Sequence, residues 1–311
     1  MRIREVDAST APDEELLRLH SLEEACAPLG EPFRRPELSL VRYRHSSAKI
    51  HRHFFAEADG ALVGAASLSV YGPGFVYADL AVFSQHRRRG IGTALLDRIR
   101  AAAGDAGASS FFGHHWNDDG KAFAAHVGAR DDHRDVRAAL DLRTAALPEP
   151  VLPQGWRLMT WVGAAPEELL ESYARARDAI NDAPMPGGSE PPTITVEDVR
   201  EFEETAAKRG REVRATVAID ERNEVAGFTD LRVTPGDAAA ATDDTAVAAW
   251  ARGRGIGRAV KVESLRRLRA DHPQVETVTT MNAEHNAAMR RINTSVGFVP
   301  TVFLTTTVLT L

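Results

Sequence analysis

The sequence predicts a mixed α/β fold built twice in tandem, and three observations carry that expectation. The chain has 311 residues, more than a single core of ordinary size needs. Residues 75–96 (FVYADLAVFSQHRRRGIGTALL) and 240–261 (AATDDTAVAAWARGRGIGRAVK) each run from an alternating or apolar stretch into Arg-x-Arg-Gly-Ile-Gly and then into a helical pattern. Downstream, Asn117 precedes Gly128 by eleven residues, and Asn286 precedes Gly297 by the same interval. The turns lie about 165 residues apart, so a whole domain is duplicated rather than a short solenoid unit.

Each half can be followed element by element. In the first, Arg2–Val6 is an opening strand and Asp13–Ala25 an amphipathic helix. His51–Glu57 and Leu62–Val70 flank Ala58-Asp59-Gly60-Ala61, where Asp-Gly tolerates positive φ and marks a hairpin. Phe75–Phe83 is the next strand, Gly90–Ala103 a helix, Ser109–His114 a strand, and a short helix precedes the alternating closing strand Arg134–Leu142. The second half repeats the order with Trp156–Trp161, helices over 166–181 and 196–209, and a hairpin of Glu212–Ile219 and Val225–Val233. Then follow Thr242–Ala249, a helix over 256–270, a strand over 275–281, a helix over 284–295 and a strand over 301–310. Hairpins followed by a strand–helix–strand crossover make a mixed sheet. The prolines of 144–155 (TAALPEPVLPQG) mark a linker, giving domains of 1–145 and 156–311 joined through 146–155. Residues 183–192 (APMPGGSEPP) are a surface loop in the second half, either a plain connection or an entrance to a site.

Composition excludes several classes. A net charge of −6 leaves no general footprint for nucleic acid, and the arginines concentrate in the two turns. A lone cysteine, Cys26, rules out an intrachain disulfide and fits a reducing compartment, so a cytoplasmic location is expected. No apolar run approaches the ~20 residues of a membrane span, and the start is no signal peptide. No His/Cys/Asp spacing matches a metal site, so no metal is expected.

The turns carry the chemistry. Arg87-Arg88-Arg89-Gly90-Ile91-Gly92-Thr93 and Arg252-Gly253-Arg254-Gly255-Ile256-Gly257-Arg258 both join a strand to a helix. Glycines let the backbone turn tightly and approach a ligand, while the first helical N–H groups lack intrahelical partners. With guanidinium groups alongside, such an end suits a pyrophosphate. Neither turn continues as Gly-Lys-Ser/Thr or as Gly-x-Gly-x-x-Gly, since Leu95 and Val260 stand at the third position.

These turns, followed by Thr280-Met281-Asn282-Ala283-Glu284-His285-Asn286 and by Ile292-Asn293 and Val296-Gly297-Phe298, resemble the GNAT superfamily of N-acetyltransferases, and tandem actinobacterial members in particular. The resemblance covers nearly the whole chain and implies two GNAT-like acyl-CoA N-acyltransferase domains. It implies acetyl-CoA, or another acyl-CoA, as co-substrate, with pyrophosphate on the turns and pantetheine along Leu80–Val82 and Ala246–Ala248. Asn117, Asn282 and Asn286 then lie near the pantetheine arm, and the backbone N–H groups of Val82 and Val247 near the thioester oxygen. Many relatives carry a tyrosine acid four residues before the last glycine; Asn293 and Ala124 stand there instead, and asparagine is no proton source at pH 7.

Asp79 and Asp244, each eight residues before the first arginine of its turn, are the candidate bases or ammonium ligands. Glu5, His114, His115 and Trp116 are further cleft candidates, though adjacent histidines on a strand face opposite ways. The second half matches the family more fully, since Gly128-Ala129 replaces Gly-Phe in the first. Chemistry is therefore expected in the second half, with the first either a structural CoA site or a second active site. The expected acceptor is an amine on a small molecule; a protein amine, or a CoA sensor or scaffold without turnover, are the alternatives. The sequence carries no signal for oligomeric state.

Overall fold

A computed structural model describes residues 1–28, 35–46, 48–72, 75–182 and 193–311. The expected loop 183–192 lies outside the described residues. The chain forms two compact units, Met1–His133 with Leu304–Leu311, and Arg134–Phe303.

The first unit contains β1 (Arg2–Val6), α1 (Asp13–Cys26), α2 (Pro36–Arg44), β2 (Ile50–Ala58), β3 (Ala61–Gly72), β4 (Phe75–Val82), α3 (Ile91–Asp105), β5 (Ser110–His115) and α4 (Asp118–His126). Its strands lie in the order β1-β2-β3-β4-β5, antiparallel except for the β4–β5 pair. On one face Leu95, Leu96 and Ile99 of α3 meet Phe54, Leu68 and Val76. On the other, Leu16, Leu19 and Leu22 of α1 meet Phe55 and Ala65. Alternation along β2 and β3 thus supplies two apolar faces, as a sheet covered on both sides requires. Helix α2 falls between Ala25 and His51, where the sequence pattern assigns no element; Pro36, at the first helical positions where no N–H partner is lost, begins it.

The second unit contains β7 (Arg157–Val162), α5 (Glu167–Asp178), α6 (Val196–Lys208), β8 (Glu212–Ile219), β9 (Val225–Val233), β10 (Ala239–Val247), α7 (Ile256–Asp271), β11 (Thr277–Ala283) and α8 (Ala287–Val296). Thr195 and Asp198 close a reciprocal capping box at the start of α6. The strand order is β11-β10-β9-β8-β7, with β10 and β11 parallel.

The closing strands depart from the expected 1–145 and 156–311 division. β6 (Arg130–Asp141) follows α4, yet from Asp135 onward it pairs with β11 of the second unit. β12 (Val299–Thr310) ends the second half, yet Thr305–Thr310 pair with β5 of the first. Alternation identifies both as strands but says nothing of their partners, because pairing is a long-range choice. Val136, Ala138 and Leu140 are buried, the last two in one core with Val262, Leu265 and Leu268 of α7. The expected linker is irregular and runs along α7, where Arg269 donates to the carbonyl of Ala145 at 2.9 Å.

Candidate active site

The two glycine turns are nearly superposable in their internal bonding. In each, a short 3-10 turn follows the strand, and the first arginine folds back: Arg87 Nε donates to Val82 O and Arg252 Nε to Val247 O, both at 3.0 Å. Gly90 and Gly255 cap their helices in the left-handed region, at φ 79° and 80°. Arg88 and Gly253 are left-handed as well, so each turn alternates hand before entering its helix. No atom lies within 4 Å of the point where a Cβ would sit on Gly90 or Gly255, so the space over each turn is open. The second glycines do something else: a Cβ on Gly92 would meet Phe123 at 3.0 Å, and one on Gly257 would meet Ile292 at 3.0 Å. They let α4 and α8 pack against the helices that follow the turns. Arg88, Arg89 and Gly90, like Arg252, Gly253, Arg254 and Gly255, are exposed, while Ile91 and Ile256 anchor the turns in the cores. Unpartnered N–H groups at a helix start, open space and exposed guanidinium groups together fit an anionic diphosphate. Arg254 also lies over the ring of Trp156, and Arg87 pairs with Asp119.

A matched feature escaped the sequence. Gly64 and Gly227 face the ends of β4 and β10, and a Cβ on either would meet a strand carbonyl at 3.0 Å, Ala81 O and Ala246 O. Their signal, a Val/Ala-Gly step in the middle of a hairpin strand, is visible only once the two halves are aligned.

Beside each turn two parallel strands part. Among the described residues, β4 pairs with β5 only at Tyr77–Phe112, and β10 with β11 only from Ala239–Thr277 to Ala241–Thr279. Leu80–Val82 and Ala246–Ala248 thus reach their turns along an edge that β5 and β11 do not occupy, where an extended ligand arm can add.

Asn117 and Asn286 prove to be helix N-caps. Their side-chain oxygens accept from Gly120 N at 2.8 Å and Met289 N at 3.0 Å. Asn286→Ala should therefore cost about 1 kcal/mol in urea unfolding, the usual worth of such a cap. An unchanged midpoint with a raised KM for acetyl-CoA would instead make it purely a ligand residue.

The units differ where acceptor chemistry is expected. In β4, pairing with β3 runs unbroken from Ser67–Asp79 to Gly64–Val82, and Asp79 is exposed. In β10 the register shifts between Thr242 and Thr245, so Asp243 and Asp244 together oppose Asp230 of β9. This β-bulge re-aims side chains that strict alternation would separate. Asp244 accepts from Arg177 Nη2 at 2.9 Å, and Arg177 also binds the wholly buried Asp230. Asp243 pairs with Arg232, yet burial outweighs that pairing and, with Asp244 close by, pushes its carboxyl up to about 6. The eight-residue spacing before Arg252 singled out Asp244; Asp243, Asp230 and Arg177 were missed because a bulge has no sequence signature here.

Asn293 is buried and tied at both ends: Lys261 Nζ donates to its Oδ1 and its Nδ2 donates to Asn282 Oδ1, each at 2.5 Å. Of the remaining candidates, Glu5 is paired with Arg52. His114 stacks on Tyr77, with ring centroids 6.0 Å apart, whereas His115 lies 3.8 Å from Asp131, so the two histidines have separate surroundings. Trp116 is exposed.

The acetyltransferase (GNAT) family model matches residues 16–129. A mycothiol acetyltransferase of Nocardia farcinica is 32% identical over 295 residues, covering 92% of this chain and 89% of the relative. One from Salinispora tropica is 28% identical over 312 residues, covering 96% and 93%. Among solved structures, a tandem GNAT protein from the clavulanic acid biosynthesis pathway shares the fold with a TM-score of 0.84 at 22% identity, covering 99% of this chain and 98% of its own.

Proposed function

The chain belongs to the acetyltransferase (GNAT) family and is an acyltransferase that moves an acetyl group from acetyl-CoA to an amine, and from that premise we propose that the reaction runs in the second unit on a small-molecule amine. The bulge in β10 carries this assignment, because it gathers Asp230, Asp243 and Asp244 in the second unit, while in the first the pairing of β4 is unbroken from Asp79 to Val82. Several carboxylates answered by two arginines suit an ammonium that must be held and then deprotonated. The relatives named mycothiol acetyltransferases support a small-molecule acceptor. The match of residues 16–129 to the family model supports acetyl-CoA binding on the Arg87–Thr93 turn as well.

The proposed steps use named groups. Arg254, Arg258 and the N–H groups around Gly255 and Gly257 hold the pyrophosphate, and the pantetheine arm lies along Ala246–Ala248. The Val247 N–H faces the thioester oxygen and polarises the carbonyl. Asp243 takes a proton from the acceptor ammonium, directly or through water, while Asp244 stays engaged with Arg177. The amine lone pair forms the C–N bond, the C–S bond breaks with its electron pair leaving on sulfur, and the nitrogen gives up its second proton to water.

Because burial raises the Asp243 carboxyl to about 6, its base form dominates above that pH. The acid limb of kcat should therefore bend near pH 6, and Asp243→Asn should lower kcat by about 10²-fold, within the usual range for a general base. A limb that survives the substitution excludes Asp243. Thiol release from acetyl-CoA across a panel of small amines tests the wider proposal. Tight CoA binding with no turnover on any amine would favour a sensor instead.

A further inference from the structure

We propose that Lys261 is a positioning residue for the leaving sulfur, holding Asn293 and through it Asn282 so that the Asn282 amide donates into the cleft between β10 and β11. This rests on the assignment of chemistry to the second unit. The Lys261 ammonium is 1% exposed and meets Asn293 of α8 at 2.5 Å and the ring of Phe298 at 5.2 Å. An ammonium can only donate, so it fixes the direction of everything beyond it. Asn293 must turn its oxygen to Lys261 and its nitrogen outward, and Asn282 must turn its own oxygen back to receive that nitrogen, at 2.5 Å. The amide hydrogens of Asn282 are then left for the cleft. Asn282 sits on β11 past Thr279, the last residue paired with β10, where the strands have parted.

The fold itself does not require this chain of polar groups. Counted from Gly90 and Gly255, Lys261 corresponds to Leu96; counted from Gly128 and Gly297, Asn293 corresponds to Ala124 and Asn282 to Gly113. All three positions are non-polar in the first unit, and Leu96 is simply part of its core. The same scaffold therefore closes without a cation at this position, and among the described residues no carboxylate pairs with the one the second unit carries there. Its polar and ring contacts are Asn293 from α8, the Phe298 ring before β12 and, through Asn293, Asn282 from β11, and no charged group of the strands β7 to β10 packed against α7 enters its shift among the described residues. Among the described residues no ionised group from these elements or from α7 enters its shift, and burial alone brings Lys261 down to about 7. Protonated, it polarises both amides toward the developing thiolate. Neutral, it can also accept, and its hold on their direction weakens. No proton passes along the chain: the sulfur keeps the electron pair of the broken C–S bond and is protonated from solvent.

Full-length Lys261→Met, Lys261→Leu and Asn293→Ala are compared with the parent by thiol release from acetyl-CoA between pH 5.5 and 9. The expected result is a kcat lower by about 10- to 100-fold in each, below the ~10²- to 10³-fold of a donor removed outright because the Asn282 amide stays in place and loses only its orientation, with KM for acetyl-CoA within about twofold. The fall in kcat above about pH 7 should disappear in both Lys261 variants. Lys261→Met should also unfold at higher urea than the parent, since an apolar side chain replaces a buried amine. An unchanged kcat, or an alkaline limb that persists, overturns the proposal. So does failure of both Lys261 variants to fold, which would make the lysine structural. Gly255→Val is run alongside: if it stays active, chemistry does not reside in the second unit, whereas an inactive Gly255→Val with a fully active Lys261→Met rejects only the role of Lys261.

Discussion

Gly255→Val should abolish thiol release, by about 10³-fold or more, while Gly90→Val should leave most of it. The mechanism is conformational rather than steric, because no atom stands within 4 Å of a Cβ at either position. At φ 80° a β-branched residue is strained, and the turn relaxes by rotating the peptide units that lead into α7. Those units aim N–H groups at the phosphates, and each charge-assisted hydrogen bond of this kind is worth roughly 1.5–3 kcal/mol. Losing two at the transition state therefore removes about 10³-fold, at 1.36 kcal/mol per tenfold. Gly255→Asn is the control, since asparagine tolerates the left-handed region, and it should keep a large share of the activity. Steady-state rates at saturating amine, with acetyl-CoA affinity measured by titration, check all three. Equal losses from the Gly90 and Gly255 valine variants would defeat the asymmetry between the units.

That the paired turns were legible in the sequence follows from what they are made of. Positive φ demands glycine, a phosphate demands arginine, and both demands are local, so Arg-x-x-Gly-x-Gly announces itself in a short window. The hairpin at Asp59-Gly60 was legible for the same reason, and both of those residues are left-handed. The exchange of β6 and β12 was not, because alternation reports which face of a strand is buried and is silent on its neighbour. Nor was the cluster around Asp230. Its members come from α5, β9 and β10, and Asp243 and Asp244 are brought to one point only by a register shift. Lys261 was hidden differently: on a helix with arginines along its length, one more cation looks like solvated surface until its burial is known. Local backbone demands were thus read directly, whereas contacts assembled across the sheet needed the fold.

Arg177→Met should be the most destabilising single change in the second unit outside its apolar core. The guanidinium is nearly buried and binds Asp230, the Tyr173 hydroxyl at 3.0 Å and Asp244 at 2.9 Å, while lying over the rings of Phe202 and Phe228 at 5.0 and 5.1 Å. Methionine keeps much of the packing and removes the charge. Asp230 is then fully buried with, among the described residues, only Tyr173 donating to it, at 2.7 Å. Removing one partner of a buried pair typically costs about 3–5 kcal/mol, most of it the stranded charge. The pH dependence separates that cause from lost packing. Burial already pushes the Asp230 carboxyl upward against the pull of Arg177, and without the arginine it must rise further. A carboxyl whose folded pKa exceeds its unfolded value keeps its proton longer in the native state. Stability is then greatest at acid pH and falls as pH rises from the unfolded value through the folded one. Urea midpoints of Arg177→Met should accordingly decline between pH 4 and pH 7 more steeply than those of the parent. Adding Asp230→Asn removes the stranded charge, so the double variant should recover much of the loss and flatten the pH dependence. If the double variant is no more stable than Arg177→Met at pH 7, packing over Phe202 and Phe228, rather than the ion pair, is what Arg177 supplies.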